Sequence, residues 1–313
     1  MTKSHEITSV KAQIVNGFVT NGAGGNPAGI VLDADGLSDD QMLKIAKKVG
    51  VSEMAFVSSS QEAGFKLDFF TPNRRIAHCG HATIAAFSYL AQLGRVSEGE
   101  TSKMTVDGPR KILIRGEQSF MEQRAPHYTT PKDWEKDAIT ADQALAAIGL
   151  GTDDLIPGAD MRLVNTGNSF LIIPVKDART LAAIIPDQAA IAHVSEALDL
   201  IGYYAFTLNE DGPEAATTRM FAPRYAIAEE SATGMAAGPL GCYLRDVMGF
   251  EGTHFDIAQG HFMIPPSPSR ISVDLALDKA GQIASLTAGG FGKAMREMTI
   301  SLDLSVPIGN VID

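Results

Sequence analysis

Two stretches of this chain bring ionisable side chains to the start of a helix-forming run. "FTPNRRIAHCGHATIAA" spans Phe70–Ala86, and "FAPRYAIAEESATGMAA" spans Phe221–Ala237. They align without a gap at six identities: the Phe, the Pro, the Ile-Ala pair and the closing Ala-Ala. Each reads as a strand, a Pro turn, a polar loop and a helix start. A helix start carries unpaired N–H groups and about half a positive charge, which suits a carboxylate or phosphate. The tips at Gly80–Thr83 and Thr233–Met235 would frame a cleft for a small anion that needs no cofactor. The plainer alternative is that these small residues only let helices pack closely.

Other chemistries find little support. Cys79 and Cys242 are the only cysteines, too few for a disulfide framework and without metal-ligand spacing. His78 and His81 flank Cys79, and the other five histidines show no metal spacing. "NGAGGN" lacks the Lys-Ser/Thr of a P-loop, "TAGGFG" does not follow the dinucleotide fingerprint, and there is no G-x-S-x-G elbow. Arg74 and Arg75 precede the first helix tip, either attracting an acidic substrate or lying in a solvated loop.

The elements that must position these groups follow from pattern and composition. The chain has 313 residues, 45% hydrophobic and 20% charged, long enough to bury a core without disulfides. Lys and Arg number 26 against 37 Asp and Glu, a net charge of −11. That balance argues against nucleic acid and against anionic membranes. The two cysteines fit a reduced, cytoplasmic setting. The N-terminal "MTKSHEITSVKAQIVNGF" shows no secretory signal, and no apolar run approaches the ~20 residues of a membrane helix.

Along the chain, "KAQIVNGF" alternates like a strand, and "SDDQMLKIAKKVG" reads as a helix capped by Ser38 and stopped by Gly50. "GHATIAAFSYLAQLG" reads as a buried helix. "KMTVDGPRKILIRGEQSFMEQRA" reads as strands joined by turns. Residues 126–138, polar and Pro-containing, are the candidate linker, with Trp134 packed locally or at an interface. The element order then restarts. "GNPAGIVL" has a looser partner in "GNSFLIIP", which points to an internal duplication. In the second half, Gly238 and Pro239 are expected to disturb the first turns of the helix. These signals divide the chain at 1–126 and 127–313, with the last segment either closing the second lobe or crossing back to the first.

Three blocks carry a resemblance: "GGNPAGIVLDADGLSDDQMLKIAKKVGVSEMAFV", "FFTPNRRIAHCGHATIAA" and "RMFAPRYAIAEESATGMAAG". Together with "AQG" and "TAGGFGKA" near the C-terminus, they resemble the PhzF-like family of phenazine-biosynthesis isomerases and their relatives. The resemblance implies an α+β (α/β) fold similar to diaminopimelate epimerase, with two pseudo-symmetric lobes, each a curved, mostly antiparallel sheet around a central helix, and an active site between them. It also implies a cofactor-free, metal-free isomerase or epimerase, acting as a homodimer on a small amino-acid-like carboxylic acid.

By position, the family's acid/base falls on Glu53 in "SEM", and its cleft histidine on His81. A desolvated carboxyl can take a proton from one carbon and return it to another. Imidazole can orient the substrate or relay a proton. Glu230 stands where the family has a cleft aspartate, and is counted with them as catalytic. Gly80, Ala82, Thr233 and Gly234 would offer backbone donors to a carboxylate, and Asn26, Cys79, Thr83 and Met235 complete the substrate-binding set.

The second tip departs from the family's Glu-Asp-Pro-Ala-Thr-Gly-Ser, reading Glu229-Glu230-Ser231-Ala232-Thr233-Gly234-Met235. Met235 loses a hydroxyl and adds apolar bulk, which sets the phenazine-pathway substrate in doubt. Two alternatives stay open: a non-catalytic small-acid-binding relative, and a racemase that depends on Cys79. A two-thiol racemase does not fit, because the repeat sets Glu230, not a cysteine, opposite Cys79.

Overall fold

The structure, a computed structural model, describes residues 9–134 and 137–302. The first eight residues of the stretch read for a secretory signal, and residues 135–136 of the candidate linker, lie outside the described residues. By its contacts the chain divides into two compact units. The first holds the residues up to Gly17, Pro27–Glu117 and those from Gly292 onward; the second holds Phe18–Asn26 and Gln118–Phe291.

In the first unit, Asn26–Val31 (counted from Pro27 in this unit) runs parallel to Met54–Ser58, which pairs antiparallel with Phe65–Phe70. Phe65–Phe70 pairs parallel with Gly99–Thr105, and that strand antiparallel with Gly108–Arg115. Lys293–Ser301, from the far end of the sequence, pairs antiparallel with Ser9–Gly17. The C-terminal strand therefore completes the first unit, where it satisfies a row of backbone groups that would otherwise form an open edge.

The second unit repeats the order. Ser169–Pro174 runs parallel to Gly202–Leu208, then Ala216–Ala222 antiparallel, His254–Gln259 parallel and Ser269–Leu277 antiparallel. Ile283–Phe291 and Gln118–Arg124 extend one side, and Arg162–Asn165 with His127–Thr129 the other. The same succession of parallel and antiparallel pairings in both units is the structural counterpart of the repeated motif. The fold is mixed α/β with mostly antiparallel sheet.

Local chemistry explains the helices. Asp39–Val49 begins at Ser38, whose hydroxyl accepts from the Gln41 N–H while the Gln41 side chain accepts from the Ser38 N–H. It ends at Gly50 with φ 73°, a left-handed turn that glycine adopts without steric cost. Met42, Ile45, Ala46 and Val49 form its buried stripe against Phe56, Phe70 and Ile300. Burial of the Met, Ile and Val side chains contributes about 1.5–3 kcal/mol each.

The central helices are Gly80–Gln92 in the first unit and Gly234–Asp246 in the second, both largely buried. Gly17 lets a strand approach the first of these: a Cβ there would meet the His81 carbonyl at 3.1 Å. In the second unit the expected disturbance does not occur. The helix runs through Pro239, and Gly238 packs so closely that a Cβ would fall 2.4 Å from Gln123 Oε1. Packing against Gln123 and Leu286 outweighs the backbone hydrogen bond that Pro cannot make. The segment read as a linker also holds structure: the strand His127–Thr129, the turn Pro131–Trp134, and a buried Trp134 that donates to Thr129 Oγ1 at 2.9 Å.

Candidate active site

In the first unit, three sequence-predicted residues converge. Glu53 immediately precedes the strand Met54–Ser58, and its carbonyl accepts from the Gly29 N–H at 3.0 Å. This fixes the backbone and leaves the side chain to reach the tip of the Gly80–Gln92 helix. Glu53 Oε2 stands 3.5 Å from His81 Nε2, with side-chain exposures of 14% and 5%. The other ring nitrogen, Nδ1, lies 3.6 Å from Cys79 Sγ. Cys79 holds the N-cap position, but no side chain caps the helix. Carboxylate, imidazole and thiol thus form a cluster at a helix start. Such a cluster can pass a proton, and a nearby anion would gain from the helix end.

Gly80 is half-buried, while Ala82 and Thr83 are fully buried. The Thr83 hydroxyl turns inward and donates to the Cys79 carbonyl at 2.6 Å. Arg75 is engaged by Asp68 and by Asp39, so its charge belongs to an ion-pair group; Arg74 is exposed. His78 is half-buried: its Nδ1 accepts from Lys103 Nζ at 3.1 Å, and burial, with the charges of Lys103 and Arg110, brings its pKa down to about 3.

The second unit gathers the other predicted group. Glu230 ends the strand Ile227–Glu230. Its Oε1 accepts from Asn26 Nδ2 at 2.9 Å, and its Oε2 accepts from the Thr233 hydroxyl. Asn26 also donates to the Ala232 carbonyl at 3.2 Å. Neighbouring Glu229 does different work, pairing with Arg219 through both carboxylate oxygens at 2.9 and 2.8 Å. Ser231, where the family has Pro, donates to the Gly25 carbonyl at 3.0 Å. The Gly234–Asp246 helix starts three residues later than the ungapped repeat predicts, because Glu230–Thr233 is taken up by these hydrogen bonds. Gly234 is buried against Phe18, and Met235 Sδ accepts from Asn168 Nδ2 at 3.4 Å.

Sequence reasoning missed Gln259, Asn168 and Lys103. Gln259 is fully buried and ties Glu230 to Thr233. Its Oε1 accepts from the Thr233 N–H at 3.1 Å, so that N–H is engaged within the protein rather than offered to a carboxylate as the sequence suggested; it also accepts from the Tyr204 hydroxyl at 3.0 Å, and its Nε2 donates to the Glu230 carbonyl at 2.7 Å. It lies in the quoted "AQG", so the signal was present without its role. Asn168 follows Gly167 as Asn26 follows Gly25, so the repeat could have found it. Nothing in the Lys103 neighbourhood of the sequence marks that residue.

Glu53, Cys79 and His81 each offer one ligand atom, all within 4.8 Å of one another. An oxygen, sulfur and nitrogen set suits zinc. The positive helix end and the nearby Lys103 ammonium oppose a cation there, and the arrangement suits proton transfer better. Cys242 is a poor thiol nucleophile: it is buried and its pKa is pushed up to about 12 by desolvation. Among the described residues, no helix is long and apolar enough to cross a membrane.

Comparison with known proteins agrees with this architecture. The family profile PhzC-PhzF, phenazine biosynthesis-like protein, matches residues 15–295. The chain is 32% identical over 260 residues to the uncharacterised isomerase YddE of Salmonella typhimurium, covering 80% of this chain and 86% of that protein. It is 26% identical over 298 residues to the trans-2,3-dihydro-3-hydroxyanthranilate isomerase of Pseudomonas chlororaphis, covering 92% and 98%. A crystal structure of a PhzF-family phenazine biosynthesis protein from Bacillus anthracis superposes with a TM-score of 0.83 at 26% identity, over 94% of this chain and 99% of that one. The repeated sheet order, the acidic and imidazole groups at the helix starts and these matches together establish that the chain belongs to the PhzC-PhzF family and is an enzyme of the isomerase/epimerase kind.

Proposed function

We propose that this enzyme moves a proton on a small, amino-acid-like carboxylic acid without a cofactor, with Glu53 as general acid/base. The observation that carries the reading is the Glu53–His81 pair, 3.5 Å apart and largely shielded from water at a helix start without a side-chain cap. Glu53 takes the proton from one carbon and returns it to another. His81 orients that carboxylate or the substrate. Gly80 and Ala82 offer N–H groups to the substrate carboxylate. Glu230, held by Asn26 and Thr233, has the supporting role that the family position implies, with Gly234 and Met235 lining its surroundings. The same reading expects a cytoplasmic homodimer, which sedimentation of the purified protein tests.

The deciding experiment incubates candidate acids with enzyme in deuterated water and follows label at carbon. Wild type is expected to incorporate deuterium, and Glu53→Gln to lose at least about 100-fold of that rate, the lower range for a general acid/base. Equal uptake by both removes Glu53 from the mechanism.

A second reading has its own observation, the 3.6 Å approach of Cys79 Sγ to His81 Nδ1. There Cys79 is the base, as a thiolate paired with imidazolium. It predicts inactivation by thiol alkylation that substrate prevents, and loss of activity in Cys79→Ser.

A further inference from the structure

Lys103 lies outside every role given so far. It sits on the strand Gly99–Thr105 with 0% of its surface exposed. Its Nζ donates to Thr83 Oγ1 at 2.6 Å and to His78 Nδ1 at 3.1 Å, and stands 5.0 Å from the centre of the Phe69 ring. No carboxylate of the described residues lies within ion-pair distance of it. His78 accepts through a lone pair, so it is neutral and cannot balance the charge. An ammonium buried in this way is costly, and a methionine of similar length would avoid the cost.

The location suggests what the charge is for. Thr83 Oγ1 receives the Lys103 hydrogen bond and passes its own to the Cys79 carbonyl at 2.6 Å. The ammonium is therefore two hydrogen bonds away from the residue that starts the Gly80–Gln92 helix and touches His81. The charged and titratable groups acting on it are Cys79, Arg110, Asp107 and His78. Burial, the largest influence, brings its pKa from 10.5 to about 7.

We propose that Lys103 is a positioning residue of the Glu53–His81–Cys79 site: a buried cation that holds the first helical turn and lends its charge to the helix tip when an anion binds there. This rests on the anion-binding part of the proposed function and not on the proton transfer. A charge behind the tip adds to the field of the N–H groups in a low-dielectric setting and occupies none of the space an anion needs. Reciprocity makes the idea measurable. If a proton on Lys103 strengthens anion binding by some factor, a bound anion strengthens protonation of Lys103 by the same factor.

The test is a pH titration of the full chain carrying ¹³Cε-labelled lysine, with and without acetate as the anion probe. The Lys103 resonance is assigned by its absence from Lys103→Met, and the backbone amides of Gly80 and His81 report acetate occupancy. Without acetate the Lys103 midpoint is expected near pH 7. With the tip saturated it is expected to rise by about one pH unit, the equivalent of a tenfold coupling. Lys103→Met is expected to weaken acetate binding about tenfold, while Thr83→Val, which removes the hydrogen bond and keeps the cation, weakens it less.

A midpoint that stays fixed while acetate occupies the tip overturns the proposal. So does equal acetate affinity in wild type and Lys103→Met, or the absence of any acetate effect on the Gly80 and His81 amides. The wild-type titration is decisive by itself should the methionine variant not fold. The deuterium result with Glu53→Gln leaves this titration untouched, so failure of the isomerase mechanism and failure of the Lys103 role can be told apart.

Discussion

Replacing Lys103 by methionine should make the protein more stable, and by an amount that depends on pH. The fall of its pKa from 10.5 to about 7 corresponds to about 5 kcal/mol held against the folded state while the amine is charged. Below pH 7 both folded and unfolded chains carry the proton, and that full penalty applies. Between pH 7 and 10.5 the unfolded chain binds more protons than the folded one, so wild-type stability rises with pH. Lys103→Met removes the penalty but leaves His78 Nδ1 without its donor, an offset of about 1–3 kcal/mol. The net expectation is a gain of about 2–4 kcal/mol at pH 6 that shrinks toward pH 9. Urea unfolding at half-unit pH steps from 6 to 9 measures it. The thiol of Cys242, pushed up to about 12, is the same in both proteins and cancels in the difference. A variant less stable than wild type at pH 6, or a difference that does not change with pH, would refute the assignment of a costly buried charge.

Three further outcomes follow from the second unit. Gln259→Leu takes the acceptor from the buried Thr233 N–H and one partner each from the Glu230 carbonyl and the Tyr204 hydroxyl; at about 1–3 kcal/mol for the orphaned N–H and about 0.5–1.5 kcal/mol for each further bond lost, it should lower the thermal midpoint by about 5 °C or more. Glu230→Gln should lower kcat/KM by about tenfold or more with little change in stability, whereas Glu229→Gln, which breaks the Arg219 fork, should lower the melting temperature and spare kcat; equal effects of the two would merge their roles. Met235→Ser should shift preference toward acids carrying a hydroxyl by about tenfold, measured as the ratio of kcat/KM for hydroxylated and plain acids.

Local rules made much of the fold legible. The helix Asp39–Val49 has its stop and start written in Ser38, Gln41 and Gly50, because a cap and a left-handed glycine are satisfied within a few residues. The repeated Phe-x-Pro…Ile-Ala…Ala-Ala pattern predicted two similar units, and the recurring order of strand pairings has the same cause: side chains at matching positions impose matching sheets. Pro239 was misread for the opposite reason. Its missing hydrogen bond is a local cost, but the close approach of Gly238 to Gln123 and Leu286 is a long-range gain that no local pattern displays.

The candidate site divides along the same line. Residue types and spacing alone singled out the two helix starts, and family likeness put Glu53, His81 and Glu230 among the chemistry-bearing positions. Sequence could not say that Glu53 and His81 meet at 3.5 Å, since residues 28 positions apart are joined only through the strand that follows Glu53 and the helix that carries His81. Nor could it separate Glu229 from Glu230: adjacent residues on a strand point to opposite faces, and only the packed sheet shows that one face holds Arg219 and the other Asn26. Lys103 is the sharpest case, a residue type that belongs at the surface, held inside by Phe69 on one strand and by His78 and Thr83 at the start of a helix. Composition and period fix what each segment tends to become, whereas desolvation and charge depend on which segments finally enclose a group, and those are properties of the assembled fold.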